Sequence, residues 1–224
     1  TTTYTVTGTD ANGCSNTAQA TVTVNAAPSV SAGINQTVCA GTAVTLSGSG
    51  ATTYAWNNSV NNAVAFTPTS TTTYTVTGTD ANGCSNTAQA TVTVNAAPSV
   101  SAGINQTVCA GTAVTLSGSG ATTYAWNNSV NNAVAFTPTS TTTYTVTGTD
   151  ANGCSNTAQA TVTVNAVPIV SAGNQTVCAG TAVTLSGSGA TTYAWNNSVI
   201  NAVAFTPLST TTYTVTGTDA NGCS

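Results

Sequence analysis

The residues of this chain best equipped for chemistry are its seven cysteines, Cys14, Cys39, Cys84, Cys109, Cys154, Cys178 and Cys223. Four aspartates, Asp10, Asp80, Asp150 and Asp219, are the only charged side chains; Lys, Arg, His and Glu do not occur. General acid–base catalysis needs a histidine, a carboxylate pair, a lysine, or a tuned tyrosine or cysteine. Here no base stands ready to activate a nucleophile, so the expectation is that the chain is not an enzyme and has no catalytic residue. A zinc site using histidine is impossible, and calcium wants several carboxylates where the repeat offers one. No metal and no cofactor are therefore expected. What remains for the thiols is to pair with one another, which places the chain in an oxidising compartment.

The same inventory limits partners. Without a cation to neutralise phosphate, nucleic-acid binding is excluded. A net charge of −4 is too weak to imply a basic partner. No apolar run approaches the ~18 residues of a spanning helix. Soluble β-proteins protect their edge strands with charge, and this chain has almost none. Self-association, lateral or end-on and weakly dependent on salt, is therefore expected.

The cysteines sit in an internal repeat. Residues 1–70 and 71–140 are identical, and the third copy differs by Val167 for Ala97, Ile169 for Ser99, Ile200 for Asn131, Leu208 for Thr139 and the loss of a counterpart to Ile104. The stretch Thr-Thr-Thr-Tyr-Thr-Val-Thr-Gly-Thr-Asp-Ala-Asn-Gly-Cys-Ser occurs at 1–15, 71–85, 141–155 and 210–224, so the chain reads as a window on a longer array. A period near 70 is too long for a solenoid coil and suits a bead with its own core. Boundaries at Pro28, Pro98 and Pro168 give a partial bead 1–27, beads 28–97 and 98–167, and a bead 168–224 lacking its last strand.

Within 28–97 the alternation of side chains predicts strands at Ser29–Ala32, continued over 35–38, then Ala43–Ser49, 53–57, a short one at Val60, 63–67, 71–80 and 87–95. Val44, Leu46, Tyr54, Trp56, Val64, Phe66, Ala88, Ala90, Val92 and Val94 are expected to point inward. Asp80-Ala81-Asn82-Gly83 supplies the turn chemistry of a hairpin, with Asn and Gly able to take positive φ. No segment has helical periodicity. The fold class is all-β, a tandem row of sandwich beads of about 70 residues arranged as a rod.

The frame Cys-Ala-Gly-Thr-Ala-Val-Thr-Leu, Tyr-Ala-Trp, Phe-Thr-Pro, Tyr-Thr-Val-Thr-Gly-Thr-Asp-Ala-Asn-Gly-Cys and Ala-Thr-Val-Thr-Val resembles immunoglobulin-like and PKD-like repeats of large Bacteroidota surface proteins. The resemblance covers every full bead. It implies an immunoglobulin-like sandwich, secretion by the type IX route, and a role in adhesion, gliding or surface filaments. The chain lacks the acidic Gly-Asp-Gly turn of PKD domains after the Trp, so no calcium role follows.

Two cysteine pairings are open. Within each bead, Cys39–Cys84, Cys109–Cys154 and Cys178–Cys223 lie 45 residues apart and leave only Cys14 over. In an immunoglobulin-type sandwich, however, the second and sixth strands run the same way. The two cysteines of one bead then stand at opposite poles, roughly 25–30 Å apart at ~3.3 Å per residue, beyond the ~7 Å that a disulfide allows between Cα atoms. In a stack those poles face neighbouring beads, which favours staples between beads, Cys39–Cys154 and Cys109–Cys223. Without a strand at Val60 the intra-bead pairs become the easier ones.

Trp56, Trp126 and Trp195 read as core plugs rather than sugar platforms, and Tyr4, Tyr74, Tyr144 and Tyr213 as packing residues. The Thr rows match an ice-binding pattern, but a twisted sheet keeps them short and curved. Asn35-Gln36-Thr37 and Asn57-Asn58-Ser59 match the glycosylation sequon. The reading is a structural segment of an extracellular stalk or filament at the cell surface, whose partners are further beads of its own kind. The alternative is an adhesin or carbohydrate-binding array, whose partners are surface glycans.

Overall fold

A computed structural model describes residues 1–224. The chain forms two compact units, Thr1–Ala97 and Pro98–Ser224. It is all-β, with no helix. In the first unit the alternating stretch Thr72–Thr79 turns back into Ser85–Asn95, paired from Thr72↔Val92 to Thr79↔Ser85. Thr53–Trp56 joins one side of this hairpin, antiparallel, and Gln36–Cys39 joins the other, parallel to Ser85–Asn95. A second, smaller sheet lies over them. Val44–Thr45 pairs with Ala65–Phe66, and a bridge ties Ser31 to Ser49. The apolar alternates Tyr74, Val76, Ala90 and Val92 meet Val44, Leu46 and Ala32 between the sheets, with Trp56 (8 % exposed) at the centre. Period-two sequence thus makes one buried face per sheet, and the two faces make one core.

The register fixes strand directions. The side-chain amide of Asn86 donates to the Pro28 carbonyl at 3.1 Å, Gln36 pairs with Val92 and Cys39 with Asn95. The first segment therefore climbs beside the last strand from one pole to the other. Thr42 then bonds back to Cys39, and the chain descends through Val44 and Leu46 to the Ser31–Ser49 bridge. Thr53–Trp56 and Ala65–Phe66 both ascend, while Thr72–Thr79 descends. A parallel first strand on the hairpin sheet, facing a sheet of the first, second and fifth segments, is the immunoglobulin arrangement. The beads are immunoglobulin-like.

Three expectations need correction. No strand forms at Val60; residues 57–62 are turns, with Asn58, Ser59 and Ala63 at φ of 53°, 57° and 59°. These left-handed residues let the chain return without a strand, while the Ala63 amide bonds the Leu46 carbonyl and Val60 is buried as a plug. Val64 is 53 % exposed, because the paired strand is only Ala65–Phe66 and its inward residue is Phe66, edge-on to Tyr74 at 5.2 Å. Tyr4 is 62 % exposed, since no second sheet covers the hairpin of Thr2–Thr9 and Ser15–Val22.

The second unit repeats the arrangement over 98–165, with Val114, Leu116, Trp126, Tyr144, Val146, Ala160 and Val162 as its core. In 168–224 the pairs Val183–Thr184 with Ala204–Phe205 and Thr192–Trp195 with Val215–Thr218 recur, and Trp195 is half-buried. Gly120 shows why one turn needs glycine: its φ is +89°, and a Cβ there would stand 1.9 Å from the Ser99 carbonyl oxygen.

Candidate functional site

Every aspartate occupies the same turn. Asp150 accepts through one carboxylate oxygen from the amides of Asn152 and Cys154, both at 2.9 Å, and Asp80 does the same for Asn82 and Cys84. The Gly153 amide closes the turn on the Asp150 carbonyl, and Gly153 alone takes positive φ, at 80°; Asn152 does not. The carboxylate is a turn cap, and its product is a fixed position for the cysteine that follows.

The other cysteine position ends the first paired strand. Cys109 closes Gln106–Cys109 opposite Asn165, the last residue of Ser155–Asn165, and Thr112 turns back onto the Cys109 carbonyl. Cys154 precedes the first residue of that strand. Cys109 and Cys154 are therefore separated by the strand's 11 residues, roughly 35 Å at ~3.3 Å each.

Cys109 is bonded instead to Cys223, with an S–S distance of 2.00 Å, Cα atoms 5.5 Å apart and a sequence separation of 114. Cys39 and Cys154 are also disulfide-bonded, while Cys14, Cys84 and Cys178 carry free thiols. None of the pairs Cys39–Cys84, Cys109–Cys154 and Cys178–Cys223 is formed. The distance along the strand is the physical reason, and the absence of the Val60 strand does not relieve it. The second and sixth segments still run the same way, because the turns at 57–62 make the return. Cys154 and Cys223 are fully buried, at 0 % exposure. In the first unit Cys84 directs its thiol toward the Asn25 carbonyl at 3.9 Å. Asn25 is the counterpart of Asn165 in the repeat, so the turn cysteine again meets the end of the preceding bead's last strand.

The Asp219 turn holds Cys223. Asp219 accepts from the amides of Cys223 and Asn221, both at 2.8 Å. The Cys223 amide is the main cause that lowers its pKa below the ordinary carboxylate value. A lowered pKa contributes stability that is present above the unfolded value, near 4, and is lost as pH falls through the folded value. The turn at Cys223 should thus stay closed at pH 4 and open only in stronger acid. The Cys223 amide resonance, followed by NMR, is expected to move at a pH below 4; movement above it would contradict the capping role.

Trp56 and Trp126 lie in the cores, and their indole N–H groups donate to the side-chain carbonyls of Asn62 and Asn132 at 3.0 Å. The same oxygen of Asn132 accepts from the Gly118 amide at 2.7 Å. Sequence reasoning missed these asparagines as anything but turn residues; the signal was that a buried indole needs an acceptor. Both sequon asparagines are engaged as well, Asn35 by the Thr91 amide and Asn57 by the Thr75 amide. On the outward face Thr73 bonds Thr91 at 2.9 Å and Gln89 donates to Thr75 at 3.2 Å, so the hydroxyl rows lock strand to strand. Val183, Leu185, Trp195 and Tyr213 line an open groove of about 530 Å³. Their counterparts Val114, Leu116, Trp126 and Tyr144 pack against Ala160 and Val162 in the bead before. The groove is sandwich interior, not a pocket shaped for a ligand.

No protein-family model matches the chain, and no curated protein matches it. Solved structures that resemble it are tandem immunoglobulin-domain fragments. A titin fragment of domains z1z2 in complex with telethonin is 16 % identical, with 64 % of this chain and 99 % of that one covered and a TM-score of 0.29. An I-band fragment of titin is 12 % identical, with 78 % and 81 % covered and a TM-score of 0.34. Sidekick-1 immunoglobulin domains 1–5 are 16 % identical, with 88 % and 55 % covered and a TM-score of 0.33. Overlaps this loose name no family; the immunoglobulin-like assignment rests on the strand order and register.

Proposed function

We propose that this chain is a structural segment of an extracellular stalk or filament, made of immunoglobulin-like beads 28–97, 98–167 and 168–224 joined by disulfides, with 1–27 as the end of a further bead. The observation that carries the reading is the Cys109–Cys223 bond, which ties one repeat covalently to the next. The repeat offset that relates Cys109 to Cys223 also relates Cys39 to Cys154, and the proposal extends the same staple to them. The linker Ala166-Val167-Pro168 is too short to bend freely, and Pro168 restricts it further. Disulfides support a setting outside the reducing cytosol. The resemblance to Bacteroidota surface repeats makes a bacterial cell surface and type IX export the setting of this proposal.

The partner this reading requires is more of the same bead, end to end or side by side. Stalk and glycan binder make different demands on aromatic side chains. A stacking platform must be exposed, whereas Trp56 and Trp126 are buried and Tyr4 is the one aromatic among the exposed large apolar residues. Electron microscopy of the native material is expected to show stiff rods with a regular bead period. Dispersed beads on flexible tethers, or glycan binding by an isolated bead, would overturn the proposal.

A further inference from the structure

We infer that the Cys109–Cys223 bond makes residues 98–224 a load-bearing tie, in which tension applied between Pro98 and Ser224 bypasses everything from Cys109 to Cys223, an inference that rests on the stalk reading. Tension entering at Pro98 travels along a single segment, the one that ends in Gln106–Cys109. That strand is held in parallel register by Val162–Asn165. At Cys109 the load leaves the main chain, crosses the sulfurs and re-enters at Cys223, one residue from Ser224. Everything between lies in a closed covalent loop.

The loop holds Val114, Leu116, Trp126, Tyr144 and Val162 of one core and Val183, Leu185 and Trp195 of the next bead. It also holds the linker at 166–168, so the disulfide and not the linker carries tension from bead to bead. A bond inside one bead, from Cys109 to Cys154, would have left the linker and the whole of the next bead in the path of the load. Placing the two cysteines at opposite poles of the bead is what extends the shelter to the neighbour.

The test is single-molecule stretching of the full 224-residue chain, gripped through non-cysteine handles at Ala97 and Ser224, both exposed. In the oxidised chain no release of the loop is expected. Reductant added to the same molecule should then free a separation of 114 residues, a gain of roughly 400 Å at ~3.5 Å per residue. A Cys109→Ala chain should give that gain without reductant. Release of this length from the oxidised chain would overturn the inference, as would its absence after reduction. Failure here with rods still seen by microscopy would leave the stalk reading standing. Bypass without rods would do the reverse.

Discussion

Replacing Cys223 with serine is expected to unfold the last bead while leaving residues 28–97 as stable as before. The bond closes a loop with a separation of 114 residues. In the chain-entropy model that restriction of the unfolded state is worth about 5 kcal/mol. The whole stability of a small domain is ~5–15 kcal/mol, and this bead stands at the low end. Val183 and Leu185 are buried, but Trp195 and Tyr213 are only half-buried, and fewer strands enclose them than enclose Trp126. Removing the bond therefore removes a contribution comparable to all that holds the bead folded. The core of 28–97 contains no residue of the loop, so it provides an internal control. Hydrogen exchange followed by mass spectrometry can read the two separately, because Ile169, Ile200 and Leu208 give peptides of 168–224 their own masses. Equal protection of these peptides in the parent and the Cys223→Ser chain would show that the bond is not what holds the bead.

The cysteine connection was legible because it depends on direction, and direction follows from the count of strands. Thr72–Thr79 and Ser85–Asn95 announce themselves by alternation and a turn with Asp, Asn and Gly, and their register is the one the alternation requires. Cys39 before the second segment and Cys84 after the sixth then fall at opposite poles. The count departs from the structure at Val60, where alternation predicts a strand and residues 57–62 are turns. The chain still returns to its starting pole, because Asn58, Ser59 and Ala63 adopt left-handed backbone, which no alternation of apolar residues can signal. The polar caps were illegible for a related reason. Asn35, Asn62 and Asn86 bond partners 56, 6 and 58 residues away, whereas turn chemistry is read only from near neighbours. Val64 shows the limit of periodicity in a two-residue strand: Val64 and Phe66 fit one face, yet only Phe66 lies within the pairing.

Trp126→Ala carries the other large expected effect, and it distinguishes a core indole from a binding one. Truncating a buried Trp costs about 3–5 kcal/mol in lost transfer energy and residual cavity. Here the loss also removes one of the two donors to the Asn132 oxygen, leaving the Gly118 amide alone on it. Trp126→Phe separates the two parts. It keeps much of the apolar volume and removes the N–H, and because the Gly118 amide still satisfies the Asn132 oxygen, the lost hydrogen bond should cost only about 0.5–1.5 kcal/mol. Because residues 28–96 and 98–166 have the same sequence, the parent chain supplies a matched reference in Trp56. Urea unfolding of the Trp126→Ala chain should therefore split, with 98–167 melting well before 28–97. Trp126→Phe should split it less. A Trp that served mainly to stack a sugar would behave otherwise: its removal would leave the transition single and abolish ligand binding. An unsplit transition for Trp126→Ala is thus the result that would return the indole to the surface and, with it, the adhesive reading.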